Sequence, residues 1–129
     1  MFTDLNVFQT AHALAVHAGQ RQATVAQNMA NADTPSFKAR DIASFGEMVS
    51  VDTTGAGMRS SRAQHLNGVT SGGLMWETTT PDAMPDPNGN SVSIEKEMLK
   101  GVDIKRQHDM ALAIYKSSLN ILRTSLGRG

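Results

Sequence analysis

The side chains of this chain that could do chemistry are four histidines, one acidic-amide loop and one short glycine run. His12 and His17 lie five positions apart. On a helix that is about 140° of rotation, so they cannot close on one metal as an i, i+4 pair does. With His65 and His108 they read as single surface or seam side chains. The stretch DPNGNSVSIEKE is a stronger candidate for a cation. Asp86, Asn88 and Asn90 fall at positions 1, 3 and 5 of a calcium loop, and Glu97 falls at position 12. Against it, Ser91 stands where the tight turn wants Gly, and Ser93 replaces the usual apolar residue. Pro81, Pro85 and Pro87 also forbid the incoming helix. The stretch reads as a turn leading into a helix cap. Gly55-Ala56-Gly57 has no strand–glycine–helix context and no following Lys-Ser/Thr, so it does not read as a phosphate loop. No GxSxG, HExxH or supported carboxylate pair occurs. The residues therefore point to a protein that is not an enzyme and holds no cofactor.

The totals narrow the classes further. In 129 residues, 12 Lys and Arg balance 12 Asp and Glu. Zero net charge argues against a nucleic-acid binder or a ligand of anionic membranes. Aromatic residues are 5% of the chain, and the 8 Met outnumber the 4 Phe, a composition that suits helix seams. There are no cysteines, which removes disulfides, zinc ribbons and thiol catalysis. The first twenty residues are interrupted by Thr3, Asp4, Asn6, Gln9 and His12, unlike a cleaved signal peptide. No run reaches the roughly 18 apolar residues of a transmembrane segment.

Two long helices must carry whatever the chain does. Residues 3–32 contain no Pro and only Gly19. Phe8, Ala11, Ala15, Ala18, Gln22, Val25, Met29 and Ala32 follow 3-4-3-4 spacing, a heptad seam rich in small residues. Thirty residues make a rod of roughly 45 Å. Residues 91–126 form the second helix, with Ser91 or Ser93 as the cap and Glu95 and Glu97 in the first turns. Leu112, Tyr115, Leu119, Leu122 and Leu126 make one seam, and Met110, Ile114 and Ile121 an adjacent stripe. Arg123 and Arg128 suit its C-terminal end, and Gly127 stops it. Between the helices, residues 33–90 hold all four prolines. Here FGEMVSVDTT and GLMWETTT each predict a short strand, TTGAGMRSS a flexible loop, and TPDAMPDPNGN a series of turns. The fold class is mainly α over a single domain, residues 1–129. Long N- and C-terminal helices pair as a coiled-coil-like hairpin, with an irregular, partly β middle segment. Mean helices are about 11–12 residues, so two near thirty have more apolar surface than this middle segment covers.

The first helix ends in NMANADTPSFKARD. Asn31 suits a left-handed C-cap, Asp33 an Asx turn, and Pro35 the second position of a turn that holds Thr34 extended. Phe37 can fold back toward Met29 or Val25, while Asn28 and Asn31 share a face. This stretch resembles the signature Asn-x-Ala-Asn-x-x-Thr-Pro-Gly-Tyr of the flagellar rod, hook and filament-junction family. Asn28, Ala30, Asn31, Thr34, Pro35, Phe37 and Lys38 match by position, with Phe37 in the place of Tyr. Ser36 replaces Gly and favours a type I turn over a type II turn, which needs positive φ there. KARDIASF and NSVSIEKEM resemble the proximal rod members, and the similarity spans residues 5–48 and 88–126.

The resemblance implies a structural subunit whose terminal helices pack into a tube around the export channel. It implies export through the flagellar type III apparatus without cleavage, to the rod on the periplasmic side of the inner membrane. It implies homo-oligomeric contacts and, as partners, other rod subunits, the adaptor FliE and the membrane ring. Phe8, Val25, Met29, Leu112, Tyr115, Leu119, Leu122 and Leu126 are then the candidate assembly seams. Phe2, Leu5, Val7 and Phe8 are candidates for an apolar export signal. Free subunits are expected to be partly disordered, ordering as their seams are covered. Two other classes fit the helical plan without the resemblance: a soluble coiled-coil regulatory or chaperone-like module, and a small metal- or nucleotide-dependent enzyme.

Overall fold

The computed structural model describes residues 2–52 and 76–127, with side chains at 6–48 and 76–127. Helix α1 spans Phe2–Ala30 and helix α3 spans Ile94–Leu126. At 1.5 Å per residue they are roughly 43 and 50 Å long. They run antiparallel, as two contacts far apart along them show. Near the open end the Phe8 and Tyr115 rings meet edge-on at 5.2 Å. Near the closed end Asn28 donates to Glu97 at 3.0 Å.

The seam between them is narrow. Ala11, Ala18 and Val25 on α1 and Glu97, Ile104 and Ala111 on α3 are buried, each set at heptad spacing. Ala18, Val25 and Ile104 form the apolar centre. Small side chains let the helices approach closely, and they leave the flanking apolar residues outside the contact. Val25, expected to face neighbouring chains, is 2% exposed and belongs to this internal seam.

The middle segment differs from expectation in one element. Residues Phe45–Asp52 form helix α2, where alternation predicted a strand. The helix start decides it: the Glu47 carboxylate accepts the Ser44 backbone N–H at 3.1 Å, and the first backbone bond of the helix runs from Met48 N–H to Ser44 O at 3.2 Å. A satisfied helix start outweighs the period-2 pattern of Phe45, Val49 and Val51. Strand β1, Asp41–Ile42, pairs antiparallel with β2, Thr78–Thr79, in the register Asp41 to Thr79 and Ile42 to Thr78. Strand β2 falls within the predicted GLMWETTT strand. The TTGAGMRSS loop, the Gly55-Ala56-Gly57 run and His65 lie outside the described residues.

The ends of α3 fall where expected, at Ser93 and Gly127, but the N-cap lacks its side-chain bond. Ser93 occupies the N-cap position in an extended conformation, but its side chain makes no cap bond, and the Ser91 hydroxyl accepts the Ala39 N–H instead. Gly127 has φ −80, and its N–H bonds Arg123 O, so the helix ends without a left-handed residue. Among the described residues, no helix is long and apolar enough to cross a membrane.

Candidate functional site

The reversal after α1 is held by groups from both ends of the chain. Thr34 O accepts the Phe37 N–H at 3.3 Å, which closes a turn over Pro35 and Ser36. Ser36 has φ 61, so the turn takes the left-handed conformation that a Gly at this position would adopt freely, not the expected type I form. What holds Ser36 there is the loop before α3. Ser36 N–H donates to Asn88 O at 3.1 Å, and Ser91 N–H donates to Phe37 O at 3.0 Å. Gly89, itself at φ 82, lies so near that a Cβ on it would sit 3.2 Å from Ser36 Oγ and 3.3 Å from Ser36 Cα.

Asn31 is not left-handed; only Ser36 among the described non-glycine residues has positive φ. Its amide turns back to Gln27 O at 2.8 Å, and its Oδ1 accepts the Thr34 hydroxyl at 3.2 Å. Asp33 accepts no Asx-turn bond among the described residues. The Asx turns fall at Asn88, whose Oδ1 accepts Asn90 N–H, and at Asn90, whose Oδ1 accepts Val92 N–H at 2.7 Å. Asn90 also ties down the turn that follows α1. Its Nδ2, in a residue 1% exposed, donates to the carbonyls of Asn31, Ala32 and Thr34 at 2.9, 2.8 and 2.8 Å. Carbonyls in a turn have no ladder to pair with; here a residue some sixty positions away serves three of them.

Asn28, fully buried, works sideways. Its Oδ1 accepts Arg40 N–H at 3.0 Å, and its Nδ2 donates to Arg40 O at 2.7 Å and to Glu97 Oε2. Glu97, 2% exposed, is also bound by Lys100 at 3.0 Å. Lys100 reaches Asp41 at 3.1 Å, and Asp41 meets Arg21 at 3.1 Å. Burial alone would raise the Asp41 carboxyl, but the bonds from Arg21 and Lys100 hold it below its ordinary value. Burial would likewise lower Lys100, and Glu97 and Asp41 together hold it above its ordinary value. The Asp86–Glu97 set considered for a cation does not converge, because Asn88 and Asn90 face backbone amides and Glu97 faces Asn28. His17, fully buried, bonds Ala43 O through Nε2 at 2.8 Å and lies between the Phe45 and Trp76 rings, fastening β1 and α2 to α1.

Of the remaining motif residues, Ala30, Pro35 and Lys38 are exposed and Phe37 is half-buried. The seam residues divide. Leu119 and Leu122 are half-buried, as is Phe8 against Tyr115. Met29, Leu112, Tyr115 and Leu126 are exposed, Leu126 at 79%. The exposed row also extends to residues missed in the sequence. Leu99 and Val102 are 69% and 67% exposed, with Ile94 and Met98 beside them. They become legible only once Glu97 and Ile104 fix which face of α3 meets α1.

Side chains here are used to fix a chain reversal and a helix register, and the apolar rows are left facing outward. That is the build of a structural subunit. No protein-family model matches the chain. It is 32% identical over 116 residues to the flagellar basal body rod protein FlgB of Agrobacterium fabrum, covering 88% of this chain and 87% of that one. It is 30% identical to the FlgB of Salmonella typhimurium over 118 residues, 85% of each chain. It is 31% identical to that of Escherichia coli over 117 residues, 81% of this chain and 84% of that one. The chain belongs to the FlgB family of flagellar basal body rod proteins.

Proposed function

We propose that this chain is a structural subunit of the proximal rod of the flagellar basal body, built into the axial tube through α1 and α3. The observation that carries the reading is the set of large apolar side chains left exposed along α3, from Ile94 to Leu126. Among the described residues no intrachain partner covers them, and burying them releases roughly 25 cal/mol per Å² of apolar surface. Such exposed patches mark interaction sites. The partners this reading assigns are further copies, other rod subunits, and the adaptor FliE and membrane ring at the rod base. The chain reaches them through the type III export apparatus, uncleaved, on the periplasmic side of the inner membrane. The closed end is tied by Asn28, Asn90 and the ion pairs, so it orders within the chain. The open end, joined by Phe8 and Tyr115, orders as neighbours cover it.

The test is fractionation of the native cell, with the chain tagged at a tolerated surface position. Recovery in detergent-resistant basal bodies, lost in Leu112→Asp and Leu126→Asp, is the expected result. A discrete soluble complex that is indifferent to those changes would overturn the rod reading in favour of a soluble coiled-coil module.

A further inference from the structure

Glu97 occupies a seam position, seven residues before Ile104 and fourteen before Ala111, and is 2% exposed. A carboxylate there cannot face only Ala and Val side chains of α1, because a buried charge without partners is far costlier than the packing gained. It has two partners, Asn28 Nδ2 and Lys100 Nζ, each at 3.0 Å. The first depends on the segment after the turn, and the second, an i, i+3 pair within α3, is braced by it. The amide of Asn28 is oriented by its paired bonds to the Arg40 backbone, and Lys100 is shared with Asp41. The charges alternate from α1 through β1 to α3: Arg21, Asp41, Lys100, Glu97. Without residues 39–42, Arg21 and Lys100 lose their shared carboxylate, Asn28 loses its orientation, and Glu97 is left half-satisfied inside the seam. A heptad slip of α3 would carry Glu97 away from Asn28 in the same way, so the polar pair also fixes register.

We propose that residues 39–42 are a folding checkpoint: α1 and α3 close in register only when this segment is seated against both. The helix pair alone would otherwise be free to zip in several registers, because its apolar contacts are mostly between small residues. The checkpoint ties closure to a segment that follows α1 in the chain and precedes α3. It is a property of the single chain and does not depend on the rod reading.

The test is amide hydrogen exchange on the purified full-length chain, read at Ile42, Val25 and Ile104. In Asp41→Ala, Ile42 loses the carboxylate that its own N–H bonds at 2.8 Å, and Val25 and Ile104 are expected to lose protection with it, by about tenfold or more, as one cooperative unit. In Asp41→Ala with Glu97→Gln, which leaves an amide in place of the charge, Val25 and Ile104 are expected to regain protection while Ile42 does not. Three results overturn the proposal. One is loss at Ile42 with Val25 and Ile104 unchanged, which means the helices pair on their own. Another is a double variant no better protected at Val25 and Ile104 than the single, which means the dependence does not run through Glu97. The third is a wild-type chain with no protection at Val25 and Ile104, which places closure outside the single chain.

Discussion

Replacing Asn90 by Ala is expected to be among the most damaging changes outside the apolar seam. The side chain is 1% exposed and makes four bonds, three from Nδ2 to the turn after α1 and one from Val92 N–H to Oδ1. Val92 is 7% exposed, so its N–H would be orphaned in a nearly dry place, at about 1–3 kcal/mol. Asn31 and Ala32 are half-buried and Thr34 is exposed, so water can replace part of what their carbonyls lose. Counting those at a few tenths each, the total is about 3 kcal/mol, a large share of the roughly 5–15 kcal/mol that a domain has. For a chain of this size that is a fall in Tm of about 10 °C. The assay is thermal and urea unfolding followed by circular dichroism, with Asn90→Asp as the control. Asp keeps the acceptor for Val92 but sets an anion against three carbonyls, so at neutral pH it should be no milder than Ala. An Asn90→Ala melt within a degree of wild type would refute this role for Asn90. An Asn90→Asp protein near wild type would show that the Nδ2 bonds contribute nothing.

Other consequences are open to the same instruments. Ser36→Gly removes the steric cost of φ 61 and should stabilise the chain by about 1 kcal/mol in urea unfolding. Gly89→Ala, at φ 82 and against Ser36, should destabilise it by at least as much. Asp41 is held below its ordinary 3.8, so its share of stability is present above that pH and is lost as pH falls through the folded value. Lys100 is held above its ordinary 10.5, so its share is complete below that pH and is lost as pH rises through the folded value. Urea midpoints taken from pH 2 to 7 should therefore fall less steeply in Asp41→Asn than in wild type. Leu119→Asp is expected to stop swimming by blocking assembly, and motility in soft agar reads it directly. Deleting residues 2–8 is expected to abolish secretion; normal amounts in the secreted fraction would dismiss the apolar export signal.

The two long helices were legible because heptad spacing, absence of Pro and acidic first-turn residues all agree over thirty residues. Local evidence was weaker where elements are short. Phe45, Val49 and Val51 alternate as a strand does, and only the Ser44–Glu47 pair reveals a helix start. Asn90 was read for its oxygen, as a calcium ligand would be, whereas its nitrogen does most of the binding. In the sequence Glu97 reads as an acid favoured by the first turn of α3. Its burial is invisible in sequence, because it follows from Asn28 and Lys100 arriving from different parts of the chain. Ser36 was judged by its own preference for a type I turn, and the contacts of Asn88 and Gly89 override that preference.

Asn28 presents an acceptor and a donor to both backbone groups of Arg40, as a neighbouring strand would. The next residue, Asp41, faces the other way, onto β2. The extended segment thus has strand pairing on one side and a helix side chain completing the other. Extended backbone with an open edge recruits stray chains into unwanted sheets. Here that edge is closed by an amide from within the same molecule, so extended backbone can sit beside surfaces meant to polymerise without itself seeding a different, sheet-like polymer.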